Sequence, residues 1–192
     1  MGTRIRRTAL TLAAAVMLAA AVTRPATAAT WAHADAAGDV IYGTPPDLVP
    51  VAAPEDARDD IVRFRVAHLA RQVAVRLTLR GLPRPSRFLQ VAVTTPAHRY
   101  VVSSQGASAE VLRVDGGPRV VCHIPPATLD SAHLRLQLVV PRTCLGRPRW
   151  VRVGAQLVNE RTVDGALRVY RDDALRTGIG RTLALSPRIA RG

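Results

Sequence analysis

The stretch Ile61-Val62-Arg63-Phe64-Arg65-Val66-Ala67-His68-Leu69-Ala70-Arg71-Gln72-Val73-Ala74-Val75-Arg76-Leu77-Thr78-Leu79-Arg80 decides the fold. Its period is two. Val62, Phe64 and Val66 alternate with Arg63, Arg65 and Ala67, and Val73, Val75, Leu77 and Leu79 alternate with Ala74, Arg76, Thr78 and Arg80. Such alternation places each set of side chains on its own face of a half-buried strand. The two runs therefore read as one hairpin turning through Leu69-Ala70-Arg71.

The same period continues outward from this hairpin. It predicts strands over Phe88 to Thr94, Tyr100 to Val102, Ala109 to Val114, Arg119 to Ile124 after the Asp115-Gly116-Gly117-Pro118 turn, Leu134 to Val140, and Trp150 to Val158, with a weaker one from Ala166 to Tyr170. That makes about eight strands with no helix long enough to serve as a crossover, so pairing is antiparallel. The expected fold is all-β, a two-sheet sandwich of jelly-roll or immunoglobulin-like form. Short helical turns are expected at Pro126 to Ser131, Thr143 to Leu145 and Asp172 to Thr177, the last stopped by Gly178. Residues 43–57 hold Pro45, Pro46, Pro50 and Pro54 and suit a loop or an edge covering, not a central strand.

The N-terminus has a different character. Arg4, Arg6 and Arg7 precede an uncharged Ala/Leu/Val run from Ala9 to Val22, and Ala26-Thr27-Ala28 supplies small residues at a cleavage point. This is the pattern of an export signal cut after Ala28. The apolar run is too short for the roughly 20 residues that span a bilayer, so no transmembrane segment is expected after cleavage. Arg6-Arg7 is also a loose twin-arginine match, although Sec export is the simpler expectation. The organisation is thus a signal peptide over 1–28, one sandwich domain over 29–184 and a short C-terminal tail over 185–192. A secreted or cell-envelope location is implied, where disulfides persist. Cys122 and Cys144 are then expected to form one, closing a loop worth roughly 3 kcal/mol in the chain-entropy view.

Charge narrows the partners. The chain has 192 residues, 27 cationic residues that are all arginine, and 14 acids. The leader holds four arginines and no acid, so the remainder carries 23 against 14, a net charge of +9. Arginine without lysine, in an alanine-rich chain, is what GC-rich codon usage produces with no binding role. The arginines are spread along the chain with no interleaved aromatics to stack bases, so nucleic acid is not an expected partner. A cell-envelope polymer or an extracellular protein is.

Chemistry-bearing motifs are few. His33, His68, His98, His123 and His133 include no pair at i,i+4 spacing, so no zincin-type site is expected. Gly106-Ala107-Ser108-Ala109-Glu110 resembles a nucleophile elbow except that Glu110 stands where glycine belongs. The absence of lysine excludes Schiff-base and P-loop chemistry. Asp59/Asp60 or Asp172/Asp173 could supply the two carboxylates of a glycosidase, but neighbours on a strand point to opposite faces. No catalytic residue is assigned.

The segments Ala34 to Val40, Asp60-Ile61-Val62 opening a strand that ends in His68, Val140 to Val153 around Cys144, Asp172-Asp173 and Leu185 to Arg188 resemble a group of uncharacterised secreted actinobacterial proteins. More distantly, the acidic opening followed by an Asp-Ile strand is similar to the DOMON and family 9 carbohydrate-binding sandwiches. That resemblance implies an extracellular binding sandwich whose opening acidic loop helps hold calcium. The residues themselves suggest the same ion: Asp35 and Asp39 flank Gly38 and, with Asp60 or Asp172, could converge on a structural calcium. The competing expectation is that these aspartates only cap turns. No other cofactor is required.

Three functions are consistent with these residues, each with its own structural signature. A non-catalytic module binding an extracellular or envelope partner would show neither an aromatic strip nor a carboxylate pocket. A carbohydrate-binding module would expose a strip of aromatics drawn from Trp31, Tyr42, Tyr100, Trp150 and Tyr170, although Trp150 is expected to anchor the core beside Cys144. A small hydrolase would show a pocket with clustered carboxylates.

Overall fold

The computed structural model describes residues 29–116, 121–178 and 182–192, so the expected signal peptide lies outside the described residues. The strands in chain order are β1 (Ala29–Ala34), β2 (Ile41–Gly43), β3 (Val51–Ala52), β4 (Ile61–His68), β5 (Gln72–Leu79), β6 (Phe88–Thr94) and β7 (Arg99–Gln105). Then come β8 (Ser108–Arg113), β9 (Val121–His123), β10 (Thr128–Asp130), β11 (Arg135–Pro141), β12 (Trp150–Val163), β13 (Ala166–Asp173) and β14 (Ile189–Ala190). They form a five-stranded sheet in the order β1-β4-β5-β11-β10 and a nine-stranded one in the order β3-β2-β13-β12-β6-β7-β8-β9, with β14 beside β12. All pairings between these strands are antiparallel. The two-sheet sandwich expected from the alternation is the fold.

The core lies between the sheets. Phe64, Val66, Val75, Leu77 and Leu138 from the smaller sheet meet Leu89, Val91, Val102, Val153 and Leu157 from the larger one, all essentially without solvent exposure. Burying each such side chain stabilises the fold by about 1.5–3 kcal/mol before entropy is counted.

The alternation in β4 is interrupted at its start. Register shifts between Ile61 and Arg63, so Ile61 enters the core and Val62 stays half-buried at the surface, the reverse of strict alternation. A bulge of this kind adds one residue to one strand and re-aims the side chains beyond it. It also sets Asp60 and the Ile61 N–H at the end of the sandwich where the acidic residues gather.

Other differences have local causes. Pro126 to Ser131 is not a helical turn: Thr128–Asp130 pairs with β11 instead. Asp172 to Thr177 is not helical either, because β13 extends to Asp173 and a bridge joins Asp173 to Arg176. The 3-10 turn Arg142–Leu145 does form, ended by Gly146 in the left-handed conformation. Residues 43–57 give the edge covering, in which Gly43 ends β2 against β13 and the two-residue β3 pairs with β2.

Residues 185–192 are not a loose tail. Ile189 and Ala190 pair with Val151 and Trp150, Ser186 is 1% exposed, and the Gly192 N–H donates to the His68 carbonyl (3.1 Å). Upstream, the segment 182–185 crosses the outer face of the larger sheet. It passes so near Gly154 that a Cβ there would overlap the Ala184 carbonyl oxygen. Glycine in the middle of a buried strand is the residue that permits this approach.

Cys122 of β9 and Cys144 of the 3-10 turn sit at disulfide distance, with Cα atoms 5.7 Å apart. β9 belongs to the larger sheet and the 3-10 turn follows β11 of the smaller, so the cross-link joins the two sheets.

Candidate functional site

The chain crosses from the smaller sheet to the larger between β1 and β2, and this crossing carries Asp35 and Asp39. The Asp35 N–H donates to the Val62 carbonyl (3.2 Å), pinning the crossing to β4. Gly38, with φ of 81°, turns the chain so that its N–H donates to Asp60 Oδ2 (2.7 Å). Across the sandwich, Asp172 reaches from the end of β13, and its Oδ2 accepts the Ile61 N–H (2.5 Å). One hydrogen bond thus joins the two sheets over 111 residues of sequence.

One carboxylate oxygen each from Asp35, Asp39 and Asp172 lies within 4.8 Å of the others. Two oxygens bound to one calcium at 2.3–2.6 Å can be at most about 5 Å apart, so this spacing fits a shared ion. The oxygens are also short of partners. Asp35 Oδ2 and Asp172 Oδ1 are shielded from solvent and accept no hydrogen bond from the protein, and the shielded Asp39 carboxylate has only its own backbone and the Thr177 side chain near enough to favour its charge. Asp35 does cap its turn as well, since its Oδ1 accepts the Ala36 N–H (3.0 Å).

Burial and mutual repulsion push these groups toward the protonated form. Burial raises the Asp172 carboxyl to about 9, against the lowering effect of the Ile61 N–H, and the charges of Asp39, Asp35 and Asp60 raise it further. Burial, then the neighbouring Asp39, lifts Asp35 to about 7. Asp39 is raised for the same first reason. A divalent cation would reverse this cost by supplying the charge that the protein withholds.

Asp60 stands beside the cluster but is otherwise engaged: its Oδ2 pairs with Arg80 Nε at 2.6 Å as well as accepting the Gly38 N–H. Of the two aspartates expected to help, Asp172 joins the triad and Asp60 positions Gly38. Asp173, in register with the outward-facing Gln156, accepts from the Leu175 and Ala184 N–H groups (3.2 Å each) and lines the cavity on the outer face rather than joining the triad. Asp59 turns toward Arg161, 3.9 Å away, so neither adjacent acid pair acts as a unit.

Asp39 and Asp172 also line a cavity of about 520 Å³ on the outer face of the larger sheet. Its floor holds Gln90 of β6 and Gln156 of β12, whose amides hydrogen-bond to each other. Arg99 and Arg171 stand at its sides, and Leu183 and Leu185 of the returning C-terminal segment form an apolar wall. Apart from Asp39, Asp172 and Asp173, no sequence motif marks these residues. Gly154 was the one available signal, since a glycine inside a strong strand marks a close backbone approach.

The aromatic residues make no platform. Trp31 lies parallel to His33 (6.0 Å) and edge-on to Phe64 (5.7 Å). Tyr42 packs on Tyr170, with Arg168 and Arg161 over their rings. Tyr100 reaches the cavity but is 4% exposed. Trp150 does not anchor the core. It is half-buried outside the core cluster, with the Arg188 guanidinium 4.5 Å above its ring, and Val151 takes the inward position instead.

The remaining candidates have structural roles. The Ser108 hydroxyl donates to the Gln105 carbonyl in an exposed hairpin turn. His98 and His133 pair with Asp115 (3.2 Å) and Asp130 (2.7 Å), His68 is buried against the Ile189 carbonyl, and His33 and His123 are exposed. The chain matches no family model, no curated protein and no solved structure.

Proposed function

We propose that this chain is an exported, non-catalytic β-sandwich that binds an extracellular or cell-envelope partner, and that calcium held by Asp35, Asp39 and Asp172 organises its binding end. The observation that carries the reading is the meeting of Asp35 and Asp39 of one crossing with Asp172 of β13, one carboxylate oxygen of each within 4.8 Å of the others and Asp35 Oδ2 and Asp172 Oδ1 lacking any protein partner. Unpartnered buried carboxylates are destabilising, and an ion that they share removes the penalty. Asp39 and Asp172 border the cavity, so an ion there would face whatever occupies it. The cysteine pair at disulfide distance supports the extracellular setting.

The test is thermal unfolding of the metal-free mature protein with added calcium. For a site of about 10⁻⁴ to 10⁻³ M, 10 mM calcium stabilises by about 1.4–2.7 kcal/mol, a rise of roughly 3–10 °C. Asp39→Ala should abolish the response. A melting temperature indifferent to calcium in the parent protein overturns the reading.

A second reading has one observation in its favour. A cavity bordered by clustered carboxylates is what a hydrolase would show and is not expected of a module without metal or catalysis. The Asp172 carboxyl, pushed up to about 9, would be the proton donor, yet that residue is 2% exposed. Release of nitrophenol from a panel of nitrophenyl esters and glycosides, lost in Asp39→Ala, would favour it; no turnover sinks it.

A further inference from the structure

We infer that the outer face of the five-stranded sheet is a second binding surface, independent of the calcium reading, and that it takes a linear anionic polysaccharide. The strand registers place the residues of this face in rows. Ala34, Arg63, Thr78, Arg135 and Asp130 form one row, and Ala32, Arg65, Arg76, Gln137 and Thr128 form the next. Strands are about 4.8 Å apart and residues of one face about 6.7 Å apart along a strand, so the four arginines spring from a patch on the order of 10 by 7 Å. All four are exposed.

Arg65 and Arg76 stand directly opposite each other, a placement that disfavours folding because like charges face across the pair. On the strands of this face the single carboxylate is Asp130, at the margin, where it pairs with His133 (2.7 Å) and lies directly across from Arg135. Arg63, Arg65 and Arg76 therefore have no carboxylate to answer them on the strands of this face. Arg76 is held in place by donating to the Gln137 amide oxygen (2.9 Å), and a shallow depression of about 300 Å³ runs between Arg65, Arg76, Gln72 and Gln137. Guanidinium forks match carboxylate, sulfate and phosphate oxygens, while the glutamines and threonines between them suit sugar hydroxyls.

The composition of the face separates this occupant from others. It has no aromatic side chain on which nucleic-acid bases could stack. None of the large exposed apolar residues, Val49, Val51, Leu82, Val114, Val121 and Leu167, lies on this sheet, so nothing is offered to a lipid interior. The surrounding Ala, Thr and Gln side chains leave the surface flat enough for an extended chain.

The test uses fluorescent heparin as the polysaccharide probe and the mature protein, with affinity read by anisotropy at several salt concentrations. Heparin should bind with a steep salt dependence, and Arg65→Gln/Arg76→Gln should weaken it by at least about tenfold and reduce the slope of log affinity against log salt by about two. The control Arg147→Gln/Arg149→Gln removes the same charge elsewhere and should change affinity less than about twofold. Circular dichroism and melting temperature confirm that both variants fold. Absence of heparin binding, equal losses in both variants, or single-stranded DNA of matched charge binding as tightly as heparin would each overturn the inference. Chelation of calcium should leave heparin binding unchanged. Loss on chelation would move the site to the cavity, overturning this surface while leaving the calcium reading intact.

Discussion

The arginine face of the smaller sheet and the aspartate end of the sandwich both crowd like charges, under opposite physical conditions. Arg65 and Arg76 repel each other in water, where two charges about 5 Å apart interact by under about 1 kcal/mol before salt screens them. Asp35, Asp39 and Asp172 repel each other where water is excluded, and their response is to hold protons. The exposed cluster is therefore tolerated as it stands, whereas the buried one is completed by something from outside. The same contrast separates the expected ligands: a polymer held loosely by many charges at the face, and one small ion held tightly by a few at the end.

The largest expected effect comes from the link between the two sheets that carry these regions. Because the Cys122–Cys144 bridge spans the sheets, its replacement by Cys122→Ala/Cys144→Ala should lower stability by about 3 kcal/mol, read as a fall in urea midpoint. If the two regions are energetically separate, calcium response per mole of ion should survive in the weakened protein. An unchanged midpoint would show that the core alone holds the sheets together.

Next in size is the pH response of the buried cluster. Asp35 and Asp172 have folded values near 7 and 9, raised above the ordinary carboxylate value of 3.8. Their contribution to stability is thus present in full below pH about 4 and is lost as pH rises through about 7 and then about 9. The metal-free melting temperature should fall by several degrees over that window, and saturating calcium should flatten the fall. Asp172→Asn keeps an acceptor for the Ile61 N–H while removing the charge. It should remove most of the decline and most of the calcium response together. A metal-free protein whose stability rises from pH 5 to 9 contradicts the account.

The smallest effect belongs to the arginine face. Arg65→Gln/Arg76→Gln relieves cross-strand repulsion and should raise stability by no more than about 0.5 kcal/mol in low salt, vanishing in high salt. A loss of stability would mean that these side chains hold the sheet together instead of straining it.

The two regions also differ in how far the sequence announces them. Arginines in β4 and β5 lie on one face because of period two, and that period is printed in the order of residues. Their grouping with Arg135 needed only the pairing of β11 with β5. At the other end, Asp35 and Asp39 are visible as neighbours of a glycine turn, but Asp172 joins them through a fold that closes over more than a hundred residues. The bulge at Ile61 and the capture of Asp60 by Arg80 decide which acid takes part, and neither has a local signal. β12 runs on through Asn159-Glu160-Arg161-Thr162, where polar residues hide the alternation, and it turns at Asp164-Gly165, both at positive φ. The C-terminal segment is hardest to read because Leu183, Leu185 and Ile189 follow no period. They pack one by one onto a surface already built.

That late packing has a consequence for the order in which the molecule comes into being. The contacts of the segment from Leu183 onward with β4 and β12 span long stretches of sequence, so they form after the local β4–β5, β6–β7, β7–β8 and β12–β13 pairings. The wall of the cavity at Leu183 and Leu185, the Ser186 side chain and β14 are the last parts to arrive. The cavity is thus a feature only of the finished chain. A copy cut before Leu183 would lose the enclosure next to the aspartates together with the Ile189 core contact and the Ser186 bond to Val153, so opening the cavity and loosening the sandwich would go together.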